Sequence, residues 1–173
     1  MIREPREEDG PTMERLELRR HATRDPQADR LAPEGRTLAE DVGRTTTRTY
    51  DRVFVSPASR AAETAAWFLR GAMQQLPDHA VVPGLGGKDA SGGSPEGMAA
   101  GVRALLDQLP AGGTGLAISH TPLVERAAFG LTGAEVEPFR ECEGILATRA
   151  DDGSIAVEEL RLPRPRSAGE RGA

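Results

Sequence analysis

The sequence predicts an α/β fold, a three-layer α/β/α sandwich with a mostly parallel central sheet. Three observations predict it. Short apolar, β-branched runs alternate along the chain with segments of helical periodicity. Helix-opening pairs, Ser56-Pro57 and Thr121-Pro122, follow directly on two of those runs. The last two runs are separated only by a turn signal, Asp152-Gly153, which adds a hairpin to the sheet as a mixed edge.

The elements follow in order. Arg15–Arg19 (RLELR) alternates with period two and reads as a strand. Pro33–Arg44 reads as a helix opened by proline, with Leu38 and Val42 on one face. Arg52–Ser56 is a β-branched, buried strand. Ala58–Met73 carries Ala62, Ala65, Leu69 and Met73 near a 3.6-residue period. His79–Val82 is a short third strand, and Pro95–Leu109 an amphipathic helix with Met98, Val102, Leu105, Leu106 and Leu109 in register. Gly115–Ser119 is the fourth strand. Thr121 then serves as N-cap and Pro122 as the first residue of a helix to about Leu131. Gly144–Thr148 and Ile155–Leu160 form the closing hairpin.

The chain has 173 residues, enough for one ordinary domain. The folded part is expected over about 15–162. The charged, Pro/Gly-rich tails 1–14 and 163–173 have almost nothing to bury and are expected to be disordered. Basic residues number 22 against 27 acidic, a net charge of −5, and only 3% of residues are aromatic. Such a chain offers nucleic acid neither general attraction nor stacking platforms. No run approaches the roughly 20 apolar residues that span a membrane. The polar N-terminus lacks an apolar signal core, so a cytoplasmic setting is expected. A single cysteine, Cys142, excludes an internal disulfide, and three scattered histidines lack zinc-ligand spacing.

Ligands of open α/β sheets bind beyond the carboxyl ends of the strands. Three strand ends here carry one kind of chemistry: Arg19-Arg20-His21, Ser56-Pro57-Ala58-Ser59-Arg60 and Ser119-His120-Thr121. In a parallel sheet, two imidazoles and at least two guanidinium groups would meet above one edge. Guanidinium forks match phosphate oxygens, and a helix opening at Thr121 would add free N–H groups and a positive dipole end. Nearby arginines favour the neutral form of an imidazole, which can then attack phosphorus. His120 would donate a hydrogen bond to a non-bridging oxygen. The expected reaction has two steps: phosphoryl transfer to His21, then hydrolysis of the phosphohistidine.

At these residues the chain resembles the histidine phosphatase superfamily, with its phosphoglycerate-mutase-like fold. The resemblance rests on four anchors in family order: Arg20-His21-Ala22 after a strand, Leu31-Ala32-Pro33-Glu34-Gly35-Arg36 running into a helix, Ser56-Pro57-x-x-Arg60-Ala61-x-x-Thr64-Ala65, and Ser119-His120 ending a strand. It covers residues 15 to about 130. It implies that His21 is the phosphorylated nucleophile and that Arg20, Arg60 and His120, with the backbone N–H of Thr121, bind the phosphoryl group. It implies neither cofactor nor metal. The run His120-Thr121-Pro122-Leu123-Val124 is similar to that of SixA-type phosphohistidine phosphatases, compact members without long cap insertions.

One departure bears on mechanism. Many phosphomonoesterases and mutases of the superfamily carry a glutamate general acid after the third strand, where this chain has Leu85-Gly86-Gly87. Asp89 and Glu96 are the nearby candidates to replace it. Without an acid, ester cleavage is slow because an alkoxide leaves poorly, whereas the imidazole of a phosphoramidate leaves more easily. This favours a phosphohistidine-bearing protein as substrate. A small phosphate ester, and a degenerate member that only binds phosphorylated ligands or partners, are the alternatives. Arg24, where relatives differ, either adds charge to the site or faces solvent.

Other features have plainer readings. His79 is expected at the surface. The Gly-rich segment 83–94 is either a lid or a surface loop, and lacks the spacing of a Walker A loop. Cys142 lies between Glu141 and Glu143, which raise a thiol pKa, and is expected to be a small packed residue, not a nucleophile.

Overall fold

A computed structural model describes residues 12–164. Most of the two predicted disordered tails, 1–11 and 165–173, lies outside the described residues. The elements run β1 Glu14–Arg20, α1 Pro33–Thr45, β2 Arg52–Val55, α2 Ser59–Gly71, β3 Ala80–Val81, α3 Pro95–Asp107, β4 Thr114–Ser119, α4 Leu123–Thr132, β5 Gly144–Arg149 and β6 Ile155–Leu160. A 3-10 turn, Pro83–Gly86, follows β3.

The six strands form one sheet in the order β3-β2-β4-β1-β5-β6. The first four are parallel; β5 and β6 are antiparallel and close the edge as a hairpin. The expected sandwich with a mixed edge is present. Alternation along the strands separates two cores. Leu16, Leu18, Phe54 and Ala117 join Val102, Leu106, Val124 and Ala127 of α3 and α4 on one face. Val53, Val55, Leu116 and Ile118 join Ala39, Val42, Ala65 and Phe68 of α1 and α2 on the other. Glycine lets α1 and α2 touch: a Cβ at Gly43 would stand 1.9 Å from the Phe68 carbonyl oxygen, and one at Gly71 1.9 Å from that of Glu40.

Several boundaries differ from expectation. Helix α2 ends at Gly71, and Met73, expected on its buried face, is 92% exposed with φ 58°. Gln74 N–H reaches back to the Leu69 carbonyl, so the chain turns off before Met73 can pack. Helix α4 begins at Leu123, not at Pro122, and the Thr121-Pro122 peptide is cis. Thr121 is therefore not the N-cap; Pro122 occupies that position, and the Thr121 hydroxyl donates instead to Glu125 Oε1 at 2.7 Å. The period-two reading of β1 also needs amending. Its central residues Leu16 to Arg19 are all buried, because helices or loops cover both faces of this strand.

Candidate active site

The register of three adjacent strands builds the site. Arg20 pairs with Ser119 across β1 and β4, and Val55 with Ile118 across β2 and β4. The next residues, His21, His120 and Ser56, therefore emerge side by side at the carboxyl edge. The loop carrying His21 is pinned from behind. Its N–H donates to the Ser119 carbonyl at 3.0 Å, and the Ala22 N–H donates to Thr64 Oγ1 on α2 at 3.0 Å. Helix α1 sits directly on this loop: a Cβ at Gly35 would stand 2.1 Å from the Thr23 carbonyl oxygen. This close approach explains a glycine at the position.

The two imidazole rings lie 5.1 Å apart, centroid to centroid, at 64°. Hydrogen bonds select their tautomers. His21 Nδ1 is 2.7 Å from the Ala22 carbonyl oxygen, which can only accept, so Nδ1 carries the proton and Nε2 the lone pair. Arg60 Nε donates toward His21 Nε2 at 3.3 Å, and Arg60 Nη2 toward His120 Nδ1 at 3.3 Å. His120 Nε2, left with the proton, donates to Ser56 Oγ at 2.5 Å. Arg60 is held in turn by Asp29, whose carboxylate accepts from Nη1 at 3.0 Å and from the backbone N–H groups of Ser59 and Arg60. Arg20 is held differently, by the Phe139 carbonyl at 2.9 Å from Nη1 and by Glu141 at 3.4 Å from Nη2; its buried Nε has no partner among the described residues.

Electrostatics keep both rings neutral. Burial lowers the His21 pKa below 6.5; the Ala22 carbonyl opposes this, and the charges of Arg60, Arg20 and Arg24 reinforce it. Burial, followed by His21 and Arg60, presses His120 down to about 4. Burial opposes the charge of Asp29, yet the Ser59 and Arg60 amides and the Arg60 guanidinium together hold its carboxyl below the usual range. Cys142 is pushed up to about 12, by burial first; Glu141 adds to this while Arg19 opposes it.

A cavity of about 530 Å³ opens in front, lined by Ser56, Pro57, Ala58, Arg60, Gly86, Lys88, His120, Thr121, Pro122 and Leu123. His21, Arg60 and His120 are thus brought together. Arg20 adjoins them in sequence at His21, and its charge acts on both imidazoles. Asp89 and Glu96 are not among the cavity walls. Asp89 Oδ1 accepts from the Ser91 N–H and hydroxyl, and Glu96 is exposed in the first turn of α3. Arg24 faces solvent while adding charge that reaches His21, and His79 is exposed. The Gly-rich segment is anchored: the Leu85 carbonyl accepts from Ser119 Oγ, and that of Gly93 from Arg126. Sequence reasoning missed Asp29, the role of the Ser56 hydroxyl and Lys88. Ser56 had a signal, a polar residue at a strand end; Asp29 and Lys88, in irregular segments, had none.

No family model matches the sequence, and no curated protein matches it. Solved structures do. The protein histidine phosphatase SixA complexed with tungstate is 24% identical, with a TM-score of 0.65 over 85% of this chain and 96% of its own. A phosphoglycerate mutase from Bacillus anthracis is 15% identical, with a TM-score of 0.63 over 87% of this chain and 93% of its own. A phosphoserine phosphatase from Entamoeba histolytica, in complex with 3-phosphoglyceric acid, is 16% identical, with a TM-score of 0.62 over 87% and 98%. With its mixed six-stranded sheet and helices on both faces, the chain has the phosphoglycerate-mutase-like fold of these neighbours.

Proposed function

We propose that the protein is a phosphatase acting through a phosphohistidine intermediate on His21, with phosphohistidine on a partner protein as its substrate. The observation that carries this is the reach of Arg60 to both imidazoles, 3.3 Å from His21 Nε2 and 3.3 Å from His120 Nδ1. A tetrahedral oxyanion between these groups meets the Arg60 guanidinium fork, with the positive charge of Arg20 acting on both imidazoles. The SixA structure holds tungstate, a tetrahedral oxyanion of this kind.

In the first step the His21 Nε2 lone pair forms a bond to phosphorus while the bond from phosphorus to the substrate nitrogen breaks. The substrate imidazole, protonated on its other nitrogen, leaves neutral. In the second step water adds to phosphorus and its protons stay with the phosphate, the bond to His21 Nε2 breaks with its electron pair returning to Nε2, and orthophosphate is released from neutral His21. The positive charges of Arg60 and Arg20 balance the charge on the phosphoryl oxygens, while neutral His120, its Nε2–H engaged by Ser56, packs beside them. The Nδ1–H bond to Ala22 fixes which nitrogen attacks.

Among the described residues no carboxylate lines the cavity, which supports the phosphoramidate substrate: an alkoxide needs a proton as it leaves, and an imidazole already protonated on its other nitrogen does not. A second reading, a small-molecule phosphomonoesterase, is favoured by the likeness to the phosphoserine phosphatase. The convergence of the rings weighs against a member that only binds phosphorylated ligands.

Phosphate release from a phosphohistidine peptide and from a panel of phosphomonoesters, for wild type and His21→Ala, tests the proposal. Turnover of the peptide, lost in His21→Ala, with an acid-labile phosphoenzyme trapped in wild type, is expected. Activity surviving His21→Ala ends the mechanism. Esters turned over while the peptide is not would reverse the choice of substrate.

A further inference from the structure

The chain has one lysine, Lys88, and it lines the cavity beside His120. Its backbone is fixed by a 3.0 Å bond from its N–H to the Pro83 carbonyl. A Cβ on Gly86 would stand 3.7 Å from Lys88 Cγ and 3.7 Å from Ser56 Cβ, so Lys88 borders the serine that holds His120. The side chain is exposed, and among the described residues its ammonium makes no ion pair. Three carboxylates nearby in sequence or at the site make their hydrogen bonds to groups other than the Lys88 ammonium. Asp89 binds Ser91, Glu125 binds the Thr121 hydroxyl and the Phe139 N–H, and Asp29 binds Arg60.

Among the described residues the cavity walls therefore carry two cations, Arg60 and Lys88, and no carboxylate, and only Arg60 of the two has an anionic partner. His21 is not among those walls. In an in-line displacement the leaving group departs opposite the nucleophile, so what fills the cavity beyond the phosphoryl group is the rest of the substrate. A lysine there presents a compact point charge with three donors.

We propose that Lys88 is a specificity-determining residue that receives a second anionic group on the leaving-group portion of the substrate, namely a carboxylate flanking the phosphorylated histidine of the partner protein. This rests on the phosphatase reading above. The charge is exposed and screened, so its effect is modest, and it falls on selectivity and not on the chemical step.

The test uses two phosphohistidine peptides of equal length, one with aspartate on each side of the phosphohistidine and one with asparagine. Wild type is expected to prefer the acidic peptide about three- to fivefold in kcat/KM, carried in KM. The preference disappears in Lys88→Met, persists in Lys88→Arg, and fades in 1 M salt. A wild type without preference, or a Lys88→Met variant that keeps it, overturns the assignment. If neither peptide is turned over, the phosphohistidine reading falls, and calorimetric binding of pyrophosphate against orthophosphate decides Lys88 separately. A margin for pyrophosphate that Lys88→Met loses sustains the role of Lys88 toward a second anion; equal margins in both proteins overturn it.

Discussion

Asp29 holds Arg60 from two sides: one carboxylate takes the Arg60 guanidinium at 3.0 Å and the backbone N–H groups that open α2. It thus serves as helix cap and as clamp on the side chain that spans both histidines. Asp29→Ala removes both. The cap accounts for about 1 kcal/mol of stability. Freeing Arg60 is expected to lower kcat/KM about tenfold, equivalent to about 1.4 kcal/mol of transition-state stabilisation. Asp29→Asn keeps an accepting oxygen for the amides, so it is expected to restore most of the melting temperature but little of the rate. Thermal unfolding and steady-state kinetics on the two variants check this; equal rates for wild type and Asp29→Ala would refute it.

The pH dependence follows from the two lowered imidazoles. In the proposed mechanism His21 must be neutral to attack, and burial and the arginines depress its pKa below 6.5. The acid limb of kcat/KM, which reports the free enzyme, is therefore expected below pH 6.5, with a plateau through neutrality. Stability moves in the same direction. The unfolded chain takes up protons near pH 6.5, the folded one at lower pH, about 4 for His120. Between those values the unfolded state binds more protons, so stability is lost as pH falls through this window. Calorimetry from pH 7.5 to 4.5 should show the melting temperature falling, with a shallower slope in His120→Gln. A flat profile in both proteins would contradict the lowered values.

Element type was legible wherever period and burial agreed. Leu105, Leu106 and Val102 mark the buried face of α3, and Val53 to Val55 mark β2. The strand ends gave His21, Arg60 and His120, because residues just past adjacent parallel strands must neighbour one another. Two kinds of feature stayed hidden. Asp29 acts through tertiary contacts 30 and 31 residues away, and nothing in its local sequence encodes them. The end of α2 was set by the chain turning off after Gly71, which left the helical period of Met73 without a surface to pack on.

Strand β1 holds the clearest case of a local pattern overridden by packing. Glu17 looks like a solvent-facing residue in an alternating strand, yet it is 0% exposed. Its carboxylate accepts from Arg19 Nε at 2.9 Å, Tyr50 Oη at 2.8 Å and Arg48 Nη1 at 2.5 Å. Arg19 continues the network to the Cys142 carbonyl at 2.7 Å and stands over the Phe68 ring. A buried pair of this kind contributes little net stability against an apolar replacement of both partners, but removing one partner leaves the other charge uncompensated. Glu17→Leu is therefore expected to cost about 3–5 kcal/mol, because the buried Arg19 charge loses its carboxylate and the Tyr50 hydroxyl keeps only Thr46 Oγ1. Glu17→Gln keeps one acceptor oxygen and should cost less. The double variant Glu17→Leu with Arg19→Met is expected to recover a large part of the loss, because it removes both members of the pair. Urea unfolding of the three variants measures these differences, and a double variant no more stable than Glu17→Leu alone would show that packing, not the stranded charge, sets the cost.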